Sequence, residues 1–407
     1  MRRLIIKNIG PLNNVIVTLS KINLIIGPQS TGKSCILKIA SYCAWVEKAI
    51  ELSQTEERYL NKVAIETNLI NYHNLQDYIT SESYFGYETD TMIFSYSFNE
   101  EKPSFNWKEI GQWTFKRSKI SYVPAERNII SIIPNWLEVK FPNNYTRGFI
   151  VDWRNVQNYM KGKTPIQLLN TGVSYIYDSE QDKDIIILND GKRISLQHSS
   201  SGFQSLTPLV VYVSFLTKGI FYFENESTID IYERKATVDL LYKIIEKESN
   251  KKYISFNPGG IGIGDDKTQL IINNFTKYDH SDIYLEEPEE NLFPETQRDL
   301  VNWLVETVNG ERNHSLFIAT HSPYIMSAFN NLIQAGDIIE ESPEKEAEVE
   351  KILGGHRAIK YDDVAAFAIS DGSVHSIKDD ELRLISPSEL DTVSDDISNV
   401  FNQLIAL

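Results

Sequence analysis

The sequence predicts an α/β fold with a buried parallel sheet. An almost unbroken apolar run at Ile22–Ile26 has the pattern of a strand covered on both faces. A glycine-rich turn follows this strand, and residues 34–52 then show the apolar spacing of a helix. Two later β-runs, at residues 283–285 and 315–319, each end in charged or polar side chains. Strand, turn and helix together form half of a βαβ unit.

The rest of the chain divides around this core. Short strands are predicted at residues 4–6, 15–19 and 120–124, and long helices at 202–221 and 236–248. The predicted core is made of 1–52, 118–127 and 196–336, and it is followed by a C-terminal α/β segment at 337–407. A first insertion, at 53–117, is predicted to be partly helical at 55–69 and to lack regular strands. A second insertion, at 128–195, is predicted to hold strands at 174–177 and 184–188 and a turn at 189–191. That last segment opens with an acidic linker, because residues 337–350 hold seven acids and one lysine.

Composition and charge exclude several classes of protein. The 407 residues exceed one ordinary core, and 42% hydrophobic residues can fill a large one. The net charge of −16 argues against a surface that coats nucleic acid or an anionic membrane. No apolar run reaches membrane-spanning length and the start lacks the apolar region of a secretory signal, so we expect a cytoplasmic protein without a membrane partner. Cys35 and Cys43 lie eight residues apart on one helix, too far for a disulfide.

The glycine-rich turn fits the phosphate-binding pattern G-x-x-x-x-G-K-[ST]. Glycines let backbone N–H groups curl around phosphate oxygens, and the following helix N-terminus adds positive partial charge. Lys33 would reach the β- and γ-phosphates, and Ser34 would hold Mg²⁺. The predicted nucleotide contacts are Gly27, Pro28, Gln29, Ser30, Thr31, Gly32, Lys33, Ser34 and Cys35. A second glycine cluster, residues 259–264, does not have dinucleotide-motif spacing and predicts a flexible turn.

Two other strand ends carry groups suited to nucleotide hydrolysis. The run at 283–285 leads into Glu286, placed to bind Mg²⁺, and Glu287, placed to orient or deprotonate the attacking water. The run at 315–319 leads to His321, which would face the crevice and contact the γ-phosphate. We therefore predict Lys33, Glu287 and His321 as catalytic residues. The alternative interpretations are a solvated glutamate-rich loop and a structural histidine.

The order of these motifs resembles the ABC-type ATPase heads of the RecF, SMC and OLD-family group. In particular, it resembles the AAA-type ATPases of bacterial DNA-maintenance and phage-defence operons. The likeness is carried by residues 5–12, 27–34, 199–205, 285–294 and 319–323. It implies a P-loop NTPase with a mixed sheet, an N-terminal antiparallel β-subdomain and helical or irregular insertions. It also implies ATP with Mg²⁺, sandwiched twice in a head-to-tail homodimer or within a higher oligomer.

The resemblance assigns further roles, and the sequence also departs from the family. Ser201, Gly202 and Gln204 would form the signature motif that caps the γ-phosphate of an ATP held by the opposite protomer, and residues 291–292 would let the two sites sense one another. Glu286 replaces the usual aspartate, Phe203 replaces the signature's second glycine, and residues 122–127 lack the usual Q-loop glutamine. These departures predict slow hydrolysis.

The resulting prediction is an ATP-driven dimeric switch that acts on DNA or on a separate effector such as a nuclease or toxin, in anti-phage defence or DNA repair. Alternatives are the ATPase subunit of a membrane transporter and a short-armed SMC-like DNA-end protein. The 86 residues after His321 contain no apolar strand ending in D-x-D, which argues against a built-in Toprim nuclease. Candidate DNA contacts are the dispersed cations Arg2, Arg3, Lys116, Arg117, Lys119, Arg127, Lys192 and Arg193.

Overall fold

The structure is a computed structural model that describes residues 2–108, 114–133, 135–222, 235, 237–243, 266–386 and 392–405. Most strands of the described residues belong to one mixed sheet of eleven strands, in the spatial order β6-β5-β4-β1-β2-β15-β14-β3-β13-β12-β7. A four-stranded sheet, β11-β10-β9-β8, and the two-stranded β16-β17 are separate. The strands are β1 Arg2–Ile9, β2 Leu12–Leu19, β3 Ile22–Ile26, β4 Ile79–Glu88, β5 Met92–Ser97, β6 Lys102–Trp107, β7 Ser118–Val123, β8 Ile166–Gln167, β9 Ser174–Asp178, β10 Lys183–Ile187, β11 Arg193–Ser195, β12 His280–Glu286, β13 Ser315–Thr320, β14 Val364–Ser370, β15 Ser373–Ser376, β16 Lys378–Asp379 and β17 Leu384–Ile385.

Helices cover both faces of the central strands. They are α1 Lys33–Ser53, α2 Lys62–Ile65, α3 Ile129–Ile132, α4 Tyr145–Met160, α5 Ser201–Thr217, α6 at 237–243, α7 Asp266–Thr276, α8 Pro294–Val308, α9 Pro323–Glu341, α10 Glu346–Leu353 and α11 Thr392–Ile405. Along β12, Ile283 and Leu285 face a core built from α4, α5, α8 and α9, whereas Tyr284 faces the core under α1. Side chains alternate between the faces of a strand, so two cores require apolar residues at consecutive positions.

The predicted α/β fold class is confirmed. Strands β14, β3, β13, β12 and β7 run parallel in one half of the sheet, and β1 pairs antiparallel with β2 and β4 in the other half, so the sheet is mixed as expected. Helix α1 begins directly after the glycine-rich turn. Cys35 and Cys43 are free and buried. None of the helices in the described ranges is both long and apolar enough to cross a bilayer.

The expectation that residues 53–117 lack regular strands is wrong. β4, β5 and β6 extend the sheet outward from β1. Their buried face is built largely from aromatic residues, including Phe85, Tyr87, Phe94 and Tyr96, which alternate with serines and other polar residues. A strand with one solvated face shows this period of two instead of an apolar run, which is why it resembles an irregular polar segment.

Three other local expectations are corrected. Segment 128–195 contains the sixteen-residue helix α4, and the turn at 189–191 joins β10 to β11, not β9 to β10. Residues 337–350 are largely helical, since α9 continues to Glu341 and α10 begins at Glu346. Acids on the outer face of a helix resemble a linker in composition, while Val349 packs inward. Residues 244–248 and the 259–264 cluster lie outside the described residues.

The C-terminal segment contributes to the central sheet. β14 lies beside β3 and runs parallel to it, and Ala366 pairs with Leu24. β15 returns antiparallel and meets β2 at a single pair, Ser373 with Asn14. A strand from the C-terminal end of the chain thus joins the parallel half of the sheet to the antiparallel half. This closes one flank of the strand that carries the glycine-rich loop.

Candidate functional site

The carboxyl ends of four neighbouring parallel strands meet at one edge of the sheet. β3 leads into the glycine-rich loop, β13 into His321, β12 into the acidic stretch and β7 into Pro124. The register pairs Ile26 with Thr320, and Ala319 with Glu286, so these strand ends are level with one another. Segments that lie far apart in the sequence are therefore brought to the edge where open α/β sheets bind ligands.

The glycine-rich loop has the geometry of a phosphate cradle. Gly32 has a left-handed φ of 105°, and a Cβ there would lie 2.6 Å from Leu12 Cδ2, so both conformation and space require glycine. Lys33 Nζ lies inside the loop, 2.8 Å from Gly27 O and 2.7 Å from Pro28 O. Helix α1 starts with no side-chain cap and no acid in its first turn. Its first N–H groups and its positive dipole end are thus available to an anion.

The other predicted loop contacts occupy distinct environments. Residues 28–30 are exposed, and Thr31 Oγ1 donates to Pro28 O at 2.9 Å. Ser34 is half-buried, and its hydroxyl makes no hydrogen bond to the described part of the chain. Cys35 is buried; burial, with a further contribution from Glu286, raises the pKa of its thiol to about 11. Its side chain is therefore an inert core group, and any nucleotide contact would come from its backbone.

The three predicted catalytic residues form a continuous chain of polar contacts. His321 Nδ1 is 3.2 Å from Lys33 Nζ, and His321 Nε2 is 3.1 Å from Glu287 Oε1. A neutral imidazole fits this arrangement, with Nδ1 accepting from the ammonium and Nε2–H donating to the carboxylate. Glu287 has a left-handed φ of 41°, which is uncommon for a residue with a Cβ. The structure thus brings together side chains from three separate strand ends.

The ammonium of Lys33 is electrostatically sensitive. Burial lowers the pKa of Lys33 to about 8, although the carboxylates of Glu287 and Glu289 act in the opposite direction. The side chain is only 5% exposed, so its charge is poorly solvated. A phosphate group placed beside it would favour the protonated form. The group is therefore suited to binding an anion.

Glu286, the predicted metal ligand, ends β12 and is buried. Its Oε1 accepts a hydrogen bond from Tyr122 Oη at 2.5 Å, and its Oε2 accepts one from the Ala125 backbone N–H at 3.4 Å. Both partners come from the strand end that the resemblance assigns to the Q-loop. The sequence does not reveal this tyrosine contact, since Tyr122 and Glu286 are distant in the chain and meet only through β7–β12 pairing.

Two further acids complete a negatively charged strand end. Glu289 Oε1 accepts from Thr320 Oγ1 at 2.8 Å and from the His321 backbone N–H at 2.6 Å, which fixes the loop that carries the histidine. Glu289 Oε2 and Glu290 Oε2 are buried without a hydrogen-bond partner among the described residues. Burial, and then its acidic neighbours, raise the pKa of Glu290 even though Arg127 opposes the shift.

This donor set fits a hard divalent cation. The Ser34 hydroxyl is free of protein hydrogen bonds within the described ranges, and the nearby carboxylates supply oxygen ligands only. Mg²⁺ prefers such oxygens and usually completes its shell with water and substrate phosphates. Buried carboxylate oxygens without partners are costly unless a cation compensates them. The oxygens without such partners belong to Glu289 and Glu290, whereas both oxygens of Glu286 already accept hydrogen bonds, from Tyr122 and Ala125. Ser34 and Glu286 remain the residues that the sequence predicts for Mg²⁺.

The predicted signature segment packs against the acidic loop of the same chain. Gly202, near the start of α5, allows close approach, because a Cβ there would lie 3.2 Å from Asn291 O. The Asn291 side-chain amide donates to Ser205 Oγ at 3.0 Å. Helix α5 also begins with neither a side-chain cap nor an acid in its first turn. Its N-terminus is therefore a second end open to an anion.

The other two signature residues differ in their contacts. Ser201 is exposed at the first position of α5. The Gln204 side-chain amide donates to Gln197 O at 2.9 Å and to Ser199 O at 3.2 Å. In this conformation it orders the loop before the helix. Its predicted contact with phosphate would require the amide to leave these carbonyls.

Arg127, proposed from sequence as a surface contact for DNA, is instead fully buried. Its guanidinium donates to the backbone carbonyls of Glu286 and Glu287 at 3.0 and 2.9 Å. Arg2 and Lys119 are also engaged internally, with Asp282 and Asp152 respectively. Arginine is normally exposed, so composition alone assigned these side chains to the surface.

Comparisons with known proteins give structural neighbours only. Neither a scan against protein-family models nor a search of curated proteins gave a match. Among solved structures, the chain is similar to the SMC head domain from Thermotoga maritima, with 10% identity and a TM-score of 0.38 over 92% of this chain and 97% of that one. It is also similar to the recombination mediator RecF, with 10% identity and a TM-score of 0.30 over 92% and 97% of the two chains. A third is an ATP-binding cassette of an ABC transporter in its ADP conformation, with 10% identity and a TM-score of 0.31 over 94% and 93%.

These neighbours are P-loop proteins of the RecF, SMC and ABC kind named by the motif resemblance. Because every one of the three TM-scores is below 0.5, the functional conclusion rests on the site geometry of this chain.

Proposed function

We propose that this chain is an ABC-type ATPase that binds ATP with Mg²⁺, hydrolyses it slowly and closes as a head-to-tail homodimer on two nucleotides. The observation that carries the proposal is the Lys33–His321–Glu287 contact chain at the mouth of the glycine-rich loop. In this proposal Lys33 is the phosphate-binding cation, His321 a polar relay and Glu287 the general base, and the contacts between their side chains at adjoining strand ends support these roles. That is the set of groups that phosphoryl transfer to water requires.

Each residue then has a defined task. The backbone of residues 27–35 and the N-terminus of α1 bind the phosphates, and Lys33 neutralises their charge. Glu287 accepts the proton of the attacking water, while His321 orients that carboxylate and faces the γ-phosphate. Ser34 and Glu286 would hold Mg²⁺, which supplies charge neutralisation for the transferring phosphoryl group.

The exposed N-terminus of α5 provides the surface for a second copy. Ser201 and Gly202 would approach the γ-phosphate of the opposite protomer, and Asn291 lies against the same turn. A contact between the signature and residues 291–292 would let one site respond to the other. We propose that the ATP-bound dimer acts on a separate effector protein, such as a nuclease, in anti-phage defence or DNA repair.

The structure offers little support for DNA as the direct output. Of the candidate contacts, Arg2, Lys119 and Arg127 form internal interactions, and Lys192 and Arg193 lie exposed on a hairpin turn. Duplex DNA at low salt is therefore expected to leave the hydrolysis rate unchanged. Stimulation that grows with duplex length and disappears with salt would assign the switch to DNA.

The decisive experiment combines hydrolysis with size measurement. We expect Glu287→Gln to lower ATP turnover by at least about 100-fold while it retains nucleotide binding. Light scattering with ATP and Mg²⁺ should show this variant as a stable dimer. Glu295→Gln, an exposed acid in the first turn of α8, is the matched control and should behave as wild type. A trapped variant that stays monomeric at saturating ATP contradicts the sandwich dimer, and a wild-type chain without nucleotide affinity contradicts the whole proposal.

A further inference from the structure

Arg127 is a fully buried arginine whose hydrogen bonds all go to backbone carbonyls, and its Nη2 also lies 3.9 Å from Glu290 Oε2. Nε donates to Ser205 O at 3.3 Å, Nη1 to Pro124 O at 3.4 Å and Glu286 O at 3.0 Å, and Nη2 to Glu287 O at 2.9 Å. A buried guanidinium is costly unless such partners satisfy it. Burial lowers the pKa of Arg127, and the four acids of the strand end, Glu290 first, oppose that shift.

The four carbonyls belong to three separate elements. Pro124 follows β7, Glu286 and Glu287 end β12, and Ser205 lies in the first turns of α5. The planar fork of arginine can bind several acceptors at fixed angles, which the single ammonium of lysine cannot do. Arg127 therefore ties the signature helix directly to the strand that carries the predicted general base.

The backbone at Glu287 needs such a restraint. Its φ of 41° lies in the left-handed region, which is unfavourable for a residue with a Cβ. The peptide is held on one side by its own N–H, which donates to Ala319 O at 2.8 Å, and on the other by Arg127 at its carbonyl. This conformation directs the side chain to His321 Nε2 at 3.1 Å. Without the guanidinium, the backbone is free to relax and carry the carboxylate away from the histidine.

We propose that Arg127 is a positioning residue that couples the signature end of α5 to Glu287. A shift of the first turns of α5 moves the Ser205 carbonyl, and the rigid guanidinium transmits that shift to the Glu286 and Glu287 carbonyls. Closure of a second protomer on α5 thereby sets the catalytic geometry of the strand end. This inference rests on the proposed ATPase function, since it concerns the same general base.

The test is Arg127→Lys, compared with wild type for turnover, KM and nucleotide affinity. We expect kcat to fall about 10- to 100-fold, the range for a misplaced catalytic group, with KM and affinity within about 3-fold because the phosphate cradle is untouched. Rates are normalised to bound nucleotide, so that only folded molecules count. Arg2→Lys is the matched control. Arg2 is partly buried and, like Arg127, is hydrogen-bonded to β12, but it contacts Asp282 at the opposite end of the strand. The Arg2→Lys variant should lower thermal stability and leave kcat per bound nucleotide unchanged.

A second arm asks whether Arg127 acts through Glu287. In single-turnover measurements, adding Arg127→Lys to Glu287→Gln should lower the residual rate by less than about 3-fold. An equal loss of rate in both backgrounds means that Arg127 and Glu287 act independently, and this overturns the inference. A kcat per bound nucleotide of Arg127→Lys that stays at the wild-type value overturns it as well.

If Arg127→Lys does not fold, the Glu290→Gln variant tests the coupling instead, because Glu290 Oε2 lies 3.9 Å from the guanidinium and helps to hold it. Its expected effect is a loss of about 3- to 10-fold in kcat alone, and unchanged kcat rejects the coupling.

These failures are distinguishable from failure of the proposed function. A wild-type chain that binds no ATP, or binds it without turnover, contradicts the ATPase proposal before any variant is compared. A wild-type chain that hydrolyses ATP, together with an Arg127→Lys variant of equal kcat, contradicts only the coupling.

Discussion

The two ends of strand β12 carry charged residues with opposite roles. At the amino end, Asp282 is fully buried and lies 3.1 Å from Arg2 and 3.8 Å from His280. Although burial opposes its ionisation, Arg2 and then His280 hold the pKa of Asp282 well below its usual range. This carboxylate is paired with the Arg2 guanidinium, and its role is structural.

At the carboxyl end, four acids crowd the space around three basic side chains. Glu286, Glu287, Glu289 and Glu290 face Lys33, His321 and Arg127. Two carboxylate oxygens there accept no hydrogen bond from the described part of the chain. The strand is the same, but here the acids outnumber the basic side chains that face them.

The difference teaches how to separate structural from functional charge. Removing one partner of a matched buried pair leaves the other charge uncompensated and destabilises the native state. A cluster with an excess of acids at a strand end makes folding less favourable, and under the proposed function a cation and a phosphate would complete it. Substitutions at the amino end of β12 should therefore change the stability of the protein. Substitutions at its carboxyl end should change how the protein responds to nucleotide and to pH.

The largest expected effect on stability comes from a substitution at the amino end of strand β12. Asp282→Asn leaves the Arg2 guanidinium without its counter-charge and should lower the free energy of unfolding by about 3–5 kcal/mol. Urea denaturation measures the change. Nucleotide affinity of the folded fraction should remain at the wild-type value. A loss of affinity without loss of stability would show that the two ends are not separate.

A smaller and opposite effect is expected from Glu51, near the end of α1. Burial raises the pKa of Glu51 to about 7, and its Oε1 has no hydrogen-bond partner among the described residues. Between pH 4.5 and 7 the folded protein keeps a proton that the unfolded chain releases, so stability falls as pH rises through this window. Glu51→Gln should therefore raise the free energy of unfolding by about 1–3 kcal/mol at pH 8 and have no effect near pH 4.5. Equal effects at both pH values would exclude titration as the cause.

The smallest effect concerns Lys33 at the carboxyl end. Because its pKa in the free protein is about 8, binding of a triphosphate should restore the protonated form. Calorimetry at pH 8 in buffers of different ionisation enthalpy should show uptake of about half a proton per nucleotide. Above that pH, affinity should fall by up to about tenfold per pH unit, or 1.4 kcal/mol. Binding without proton uptake would place Lys33 away from the phosphates.

Much of the site was predictable from sequence because each motif sits at the end of an apolar run. A glycine-rich turn after Ile26, two acids after Leu285 and a histidine after Thr320 mark carboxyl strand ends, and parallel pairing must bring such ends to one edge. The contacts of Tyr122 and Arg127 were not predictable. Both depend on which strand lies beside β12, and no local pattern encodes that neighbour.

The strands outside the predicted core show the same limit. Strands β4 to β6 alternate aromatic and polar residues, and β14 is a short alanine-rich run. Neither pattern is distinctive in a single sequence, and each becomes a strand because an existing edge offers it hydrogen bonds. Local propensity at such positions is overridden by tertiary pairing.

The sequence by itself determined which chemical groups the glycine-rich loop, the acids and the histidine present, because residue type and spacing fix what stands at a strand end. Only the tertiary structure decided which charges are matched. Arg2 pairs with an acid, whereas the hydrogen bonds of Arg127 go to backbone carbonyls, and Glu289 Oε2 and Glu290 Oε2 accept no hydrogen bond from the described residues. Burial and neighbouring charges set the state of an ionisable group, and both are properties of the packed chain.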